Sequence, residues 1–379
     1  MKIGIDSRTI LNPASGERAG VGHYTYYLVK NLLKIDTKNQ YVLFFDYRTQ
    51  NTNEFRQKNV IIRHFPFSQY KSFLPFAYSH MLISAYLVKF GLDVYHSPIT
   101  ALPLTYPRKS VVTVHDLAIY KNPGWFPSQI FSTRLLVPQA LRSADKIIAV
   151  SESTKKDLKE LFNVSDKKIS VIYEGVRVEK IRLKKQKENI ARFKLGPKFI
   201  LFIGTLEPRK NLVTLVRAYK KLLTWHKEFV RYPLVIAGHP AYKSEEVYDE
   251  VKELKLGKLV KFIGYITHNE KVDLLKACSC FINPSSYEGF GLTLVEAMAL
   301  GAPVITSGIS SMPEIVGKAG VLIDPEKEYE IAAAMKEVLS NTRLRSKLKK
   351  LGIEQAAKFS WEKCARQTLA VYKDAGKKK

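Results

Sequence analysis

Pro284-Ser285-Ser286-Tyr287-Glu288-Gly289-Phe290-Gly291-Leu292-Thr293-Leu294-Val295-Glu296-Ala297-Met298-Ala299 follows a short apolar run, Cys280–Asn283. The run has the length of a buried strand, and Leu292–Ala299 fits a helix. Two glycines lie between them, so the stretch reads as strand, glycine turn and helix, the repeating unit of a parallel α/β sheet. Backbone N–H groups at such a turn can point at an anionic phosphate. Glu296 lies one turn into the helix, within reach of a ribose bound at its start, and one carboxylate can accept two hydroxyl hydrogen bonds. Glu288, just before the glycines, can face the sugar side of the same ligand.

The same alternation extends in both directions from this stretch. Downstream, Val304–Thr306 and Val321–Ile323 read as strands. Upstream, Phe199–Ile203, Leu234–Ala237 and Val260–Ile263 are strands and Leu212–Leu223 is a helix. Before them, Leu183 to Lys198 is rich in charge and closes with Gly196-Pro197, which reads as a solvated linker. A second set lies N-terminal to the linker: strands Lys2–Ile5, Tyr41–Phe45, Val60–His64, Val94–His96, Ser110–His115 and Lys146–Val150, with helices at Tyr24–Leu33 and Gln129–Leu141. The expected organisation is an N-terminal α/β domain over 1–182, a linker over 183–198, and a C-terminal α/β domain over 199–360. A terminal helix and basic tail over 361–379 would pack back on the first domain. Open parallel sheets bind ligands beyond the carboxyl ends of their strands, so chemistry is expected there.

Three further strand exits carry residues suited to that place. Phe199–Ile203 runs into Gly204-Thr205-Leu206-Glu207-Pro208-Arg209-Lys210-Asn211. Two cations beside a helix start make a diphosphate clamp, or an ordinary exposed basic pair. Val111-Val112-Thr113-Val114 ends in His115-Asp116, where Asp116 could orient a functional imidazole, or solvent could satisfy a strand-end one. The first strand leads through a loop containing Gly16 to Gly20-Val21-Gly22-His23-Tyr24. Its glycines either admit a ligand or serve the turn, and the third glycine of the dinucleotide fingerprint is missing.

Composition sets the outer bounds. The 379 residues carry a net charge of +26, which attracts phosphate-rich partners or reflects a lysine-rich solvated surface. Zinc-finger and RNP-like patterns are missing, so nucleic acid is not an expected partner. Cys278, Cys280 and Cys364 give no disulfide framework and read as small core residues of a protein from a reducing cytosol. The N-terminus lacks a signal-peptide h-region. The apolar window Phe73–Leu92 is broken by Pro75, Ser79, His80, Ser84 and Lys89. It reads as a helix with one greasy face, turned to the core or to a membrane surface. Phe65, Phe67, Tyr70 and Phe73 near Lys71 suggest docking on an anionic membrane.

With these motifs assembled, the chain resembles the retaining GT-B glycosyltransferases of the GT4 family. Glu288-Gly289-Phe290-Gly291-Leu292 with Glu296 matches the family's Glu-x7-Glu motif, and Gly204 through Asn211 resembles its phosphate-binding segment. Gly20 through Tyr24 resembles its glycine loop. Val114-His115-Asp116, Ile148-Ala149-Val150-Ser151 and Ala299 through Ile305 also fit. The chain departs from the family pattern at Tyr173-Glu174-Gly175-Val176, where Asn-Gly-Val is common, and at His23, where Arg is common.

The resemblance implies a GT-B fold, two Rossmann-like domains facing an interdomain cleft, and transfer of a sugar from a nucleoside diphosphate sugar with retention. It implies catalysis by His115, Glu288, Arg209 and Lys210. Donor binding would involve Gly20, Gly22, Asp116, Gly204, Thr205, Ile266, Gly289, Phe290, Gly291, Leu292, Thr293 and Glu296, with the base near Tyr265 and Ile266. Arg209 and Lys210 would carry the diphosphate charge, Glu288 would hold sugar hydroxyls and Glu296 the ribose. No metal or other cofactor is expected, since Asp6, Asp93 and Asp116 stand singly. The N-terminal motifs resemble mannosyltransferases that use GDP-mannose. The acceptor would be a glycan or lipid-linked oligosaccharide of surface polysaccharide biosynthesis, handled in the cytoplasm or at the inner face of the membrane. Two rival classes remain, a GT-B-type sugar-nucleotide epimerase and a non-catalytic nucleotide-sugar binding protein.

Overall fold

The computed structural model describes residues 1–10, 20–65, 76–127, 130–176, 190 and 192–377. The chain forms two compact units. Met1–Lys121, Pro127–Gly175 and Ser360–Lys379 make the first, and Asn122–Phe126 with Val176–Phe359 make the second. The boundary therefore falls at Gly175, ahead of the charged stretch that reads as a linker. Residues 183–189 and 191 of that stretch lie outside the described residues.

The first unit contains β1 (Lys2–Asp6), α1 (Val21–Ile35), β2 (Gln40–Asp46), β3 (Val60–Phe65), α2 (Phe76–Val88), β4 (Val94–Ser97) and β5 (Ser110–Val114). It continues through α3 (Ala118–Lys121), α4 (Ile130–Ser143), β6 (Lys146–Ala149), α5 (Glu152–Phe162) and β7 (Ile169–Val171). Its seven strands are parallel, in the order β3-β2-β1-β4-β5-β6-β7. Strands buried on both faces must be apolar throughout, and Val42, Phe44, Tyr95, Val112, Val114 and Ile147 form the core with Leu141 and Leu158 from the helices. The edge strand β7 and the helices α3 and α5 add to the elements read from sequence.

The second unit contains β8 (Ile200–Ile203), α6 (Leu212–Trp225), β9 (Leu234–Ala237), α7 (Glu245–Glu253), β10 (Val260–Gly264), α8 (His268–Ala277) and β11 (Cys280–Asn283). Then follow α9 (Leu292–Ala299), β12 (Val304–Ser307), α10 (Met312–Val316), β13 (Gly320–Ile323), α11 (Glu328–Ser340) and α12 (Thr342–Ala356). The six strands are again all parallel, in the order β10-β9-β8-β11-β12-β13. Phe202, Ile236, Ile282 and Ile305 pack against Leu215, Leu222 and Met335. The chain ends in α13 (Trp361–Ala375), which packs on α1 in the first unit.

In both sheets the strand order reverses beside the first strand, between β1 and β4 and between β8 and β11. Crossovers leave toward opposite sides at such a point, which opens a crevice beyond the strand ends. Arg209 and Lys210 follow β8 and Glu288 follows β11, so the topology alone places them on neighbouring exits.

The structure corrects three local expectations. Helix α1 begins at Val21, so Gly22 lies inside its first turn instead of in the loop, and a Cβ there would stand 2.7 Å from the Thr9 carbonyl oxygen. Close backbone packing is thus sufficient reason for that glycine. Phe65 is buried at 1% exposure and cannot present its ring to a membrane. Phe67, Tyr70, Lys71 and Phe73 lie outside the described residues, as does Gly16. Helix α2 does not have a single greasy face: Leu87 is buried while Met81 and Leu82 are exposed. Among the described residues no helix is long and apolar enough to cross a membrane.

Candidate functional site

The exit from β8 is built by backbone proximity. Gly204 donates its N–H to the Ala237 carbonyl at 3.0 Å, and a Cβ on Gly238 would stand only 1.8 Å from the Gly204 oxygen. The β9 exit can therefore press against the β8 exit only while position 238 has no side chain. After exposed Thr205, Pro208–Lys210 makes one 3-10 turn, and Asn211 adopts the left-handed conformation that starts α6. That turn aims both cations at the β11 exit.

Glu288 meets them there. Lys210 Nζ donates to Glu288 Oε1 at 2.6 Å, and Arg209 Nη1 donates to Oε2 at 2.9 Å and to the Tyr287 carbonyl at 2.8 Å. Arg209 Nη2 donates to Glu207 Oε1 at 2.7 Å. Ser285 Oγ donates to Glu288 Oε1 at 2.8 Å, with Asn283 Nδ2 at 3.4 Å. Burial alone would raise the Glu288 pKa. The charges of Lys210 and Arg209, with hydrogen bonds from Lys210 and Ser285, overcome that effect and hold it at about 2. Burial lowers the Lys210 ammonium, with Arg209 opposing and Glu288 supporting its charge. Two cations and two carboxylates thus neutralise one another in a half-buried cluster. An incoming diphosphate would compete with Glu288 and Glu207 for these donors.

The glycine turn is held from outside by two serines. Glu288 N–H donates to Ser310 Oγ at 3.2 Å, and the Ser310 hydroxyl donates to the Glu288 carbonyl at 2.6 Å. Ser311 Oγ donates to the carbonyls of Glu288 and Phe290 at 2.9 and 3.1 Å. The Phe290 ring packs edge-on against Phe359 at 5.6 Å and is buried, so it does not face a ligand. Gly291 takes φ 92° and caps α9 without a side chain, which leaves the first-turn N–H groups of Leu292 and Thr293 for a ligand or solvent. Gly289 is buried beneath the same turn. Glu296 is 7% exposed and accepts from Lys271 Nζ of α8 at 2.6 Å. Ile266 is also buried, whereas Tyr265 is 51% exposed and stacks on His239 at 5.0 Å, giving a flat aromatic surface beyond β9 and β10.

Glu207, Asn283, Ser285, Lys271, Ser310 and Ser311 are partners not singled out from sequence. Thr306-Ser307-Gly308-Ile309-Ser310-Ser311 carried a usable signal, a strand exit rich in glycine and serine. Lys271 carried none, being one lysine among many on helices.

In the first unit, Gly20 has φ 50° and caps α1. His115 follows β5, and Nε2 lies 2.9 Å from the Pro98 carbonyl oxygen while Nδ1 lies 3.1 Å from Glu174 Oε1. Asp116 does not orient this ring. Its carboxylate accepts from the Ala118 N–H at 3.1 Å and starts α3, because an Asp two residues ahead of a free N–H closes an Asx turn. The orienting carboxylate is Glu174. Among the described residues, no group of three or more His, Cys, Asp or Glu could hold a metal ion.

The family described as Glycosyl transferases group 1 matches residues 184–355, and that described as Glycosyltransferase Family 4 matches residues 18–180. O-antigen chain mannosyltransferase B of Escherichia coli is 31% identical over 293 residues, 74% of each chain. Serotype-specific mannosyltransferase WbdA of Escherichia coli is 31% identical over 271 residues, which is 68% of this chain and 32% of WbdA. Among solved structures, Anabaena HepE in complex with UDP and glucose superposes with a TM-score of 0.75 at 20% identity, covering 99% of this chain and 100% of that one. At that identity the likeness speaks for the fold.

Proposed function

This chain belongs to the family 4, group 1 glycosyltransferases, and from that premise we propose that it is a retaining, metal-independent enzyme using a nucleoside diphosphate sugar. The proposed donor is GDP-mannose, and the proposed acceptor is a glycan or lipid-linked oligosaccharide of surface polysaccharide biosynthesis. Mannosyltransferase B and WbdA, both mannosyltransferases by name, support the sugar. HepE in complex with UDP and glucose supports the class of donor.

The observation that carries the reading is the meeting of Arg209, Lys210 and Glu288 at the switch point of the second sheet. Breaking the anomeric carbon–oxygen bond leaves negative charge on the departing diphosphate. Fixed cations aimed at that charge lower the barrier without reorganising. Arg209 and Lys210 exchange bonds from Glu288 and Glu207 to phosphate oxygens, and the N–H groups of Leu292 and Thr293 add donors. Glu288, released from part of its load, accepts a hydroxyl of the donor sugar and stabilises positive charge at the anomeric carbon. Glu296, steered by Lys271, holds the ribose. The stacked Tyr265 and His239 offer the base an apolar face. His115 contacts the donor sugar, a role assigned from the family resemblance.

Two protein cations replace the usual divalent ion in this scheme. Transfer from the matched donor should proceed at the full rate in excess chelator, and the new bond should have the donor's anomeric configuration by NMR. Loss of activity that is restored by a divalent cation, or an inverted product, contradicts the proposal.

A further inference from the structure

His115 has two ring nitrogens, and both face acceptors. Pro98 offers a carbonyl oxygen at 2.9 Å from Nε2 and Glu174 a carboxylate oxygen at 3.1 Å from Nδ1. A carbonyl cannot donate, so Nε2 must carry a proton to make its bond. An ionised carboxylate cannot donate either, so Nδ1 must carry one as well. With Glu174 ionised, every partner is satisfied by an imidazolium facing a carboxylate; a protonated Glu174 donating to Nδ1 would satisfy the same contacts around a neutral ring, and the ring nitrogen signals separate the two.

Glu174 is placed for this task by the fold. It is 6% exposed, and a buried carboxylate needs a charged or donating partner. The next residue, Gly175, presses against the start of α13: a Cβ there would stand 2.1 Å from Trp361 N and 2.6 Å from the Ser360 carbonyl carbon. The backbone beside Glu174 is therefore fixed by a contact that only glycine allows. The other side of the ring is fixed too, since Tyr24 meets it edge-on at 4.6 Å between centroids.

The other titratable groups around His115 are neutral or turned away from it. His96, on the neighbouring strand, is bonded through Nδ1 to Tyr372 Oη at 2.6 Å and through Nε2 to Thr113 Oγ1 at 2.9 Å. Burial, reinforced by the charge of His115, pushes His96 down to about 3, so it stays neutral. Tyr24, buried and bonded to Thr113 Oγ1 at 3.1 Å, is held neutral by burial. The Asp116 carboxylate is turned to Ala118.

We infer that Glu174 is a positioning residue that keeps His115 doubly protonated, so that its Nε2–H is always a donor. The Nδ1–H bond to the carboxylate is the stronger, charge-assisted one and holds the ring. The Nε2–H bond goes to a neutral carbonyl and is the one that can be exchanged for a sugar oxygen. Position 174 thereby departs from the family pattern for a chemical reason: its side chain fixes which His115 nitrogens carry protons. The inference rests on the donor-contact reading of His115, and the experiment separates the two.

Histidine 15N NMR at neutral pH reads the protons on each ring nitrogen directly, with His115→Ala assigning the signal. Both His115 nitrogens should be protonated in the wild type. In Glu174→Gln, which keeps the shape and removes the charge, the ring should become neutral with its proton on Nε2. Transfer should fall about 10- to 100-fold, the range a lost charged hydrogen bond carries, with unchanged affinity for the nucleoside diphosphate. A singly protonated ring in the wild type, or wild-type transfer by Glu174→Gln, overturns the inference. Wild-type transfer by His115→Ala would instead remove the donor-contact role, while the wild-type ring signal would still decide whether Glu174 sets its protonation.

Discussion

Lys210→Ala should cut sugar transfer by about 10²- to 10³-fold, the loss seen when one fixed donor to developing negative charge is removed. Lys210 reaches Glu288 at 2.6 Å and is half of the positive charge aimed at the β11 exit. Its removal leaves Arg209 alone against Glu288 and Glu207, so that a diphosphate must displace two carboxylates from a single guanidinium. Affinity for the nucleoside diphosphate should fall with the rate. The fold should lose only about 2 kcal/mol, the contribution of one charged hydrogen bond. The pH dependence gives an independent check. The Glu288 carboxyl lies at about 2 in the folded protein against 4.5 ordinarily. A lowered carboxyl pKa lends stability that is full above pH 4.5 and is lost as pH falls toward 2. Without Lys210 that pKa rises, so the variant should lose less stability over this acid range, having less of it to lose. Unchanged transfer and nucleotide affinity in Lys210→Ala would remove the clamp from the account.

Trp361→Ala should have the largest effect on stability, about 3 to 5 kcal/mol. Trp361 is 4% exposed at the start of α13, stacked on Tyr27 of α1 at 5.4 Å and 19° between planes. Its ring also meets His23 at 5.8 Å and Tyr24 at 6.0 Å. Truncation leaves a cavity among aromatic rings that collapses poorly, because Tyr24 of α1 is tied to Thr113 of β5 at 3.1 Å. Amide hydrogen exchange reads this unit separately from the other. Protection of α1 and β1 should drop by at least about 100-fold while α6 and β8 keep theirs. Equal protection in α1 before and after the change would show that α13 is not part of this unit's core.

How much of this was legible depended on whether the relevant contacts are local. Parallel strands buried on both faces are short apolar runs, so nearly every strand could be read, and among the described residues only β7, three residues at a sheet edge, escaped. Arg209, Lys210 and Glu288 were legible because strand exits in an open sheet share one side, whatever their separation in sequence. What they do to one another was not legible. Glu288 looked like a ligand for sugar hydroxyls, and the structure shows it first as the counter-charge of the two cations. Asp116 looked like the partner of His115 because it is adjacent, yet adjacency on an extended chain points side chains apart. The actual partner, Glu174, comes from 59 residues away and shows in sequence only as a departure from the family pattern. Gly22 looked functional, and its need for a bare Cα is explained by the Thr9 carbonyl against it.

Whether the second unit holds a nucleoside diphosphate sugar between the β8 and β11 exits is decided by thermal shift across UDP-, GDP- and ADP-sugars. A donor present at about 100 times its dissociation constant adds roughly 2.7 kcal/mol to the unit that binds it. Melting temperature should rise clearly for one base, GDP with mannose as the proposed match, and the rise should be lost in Lys210→Ala. No shift with any sugar nucleotide, or an equal shift in the variant, would contradict donor binding there.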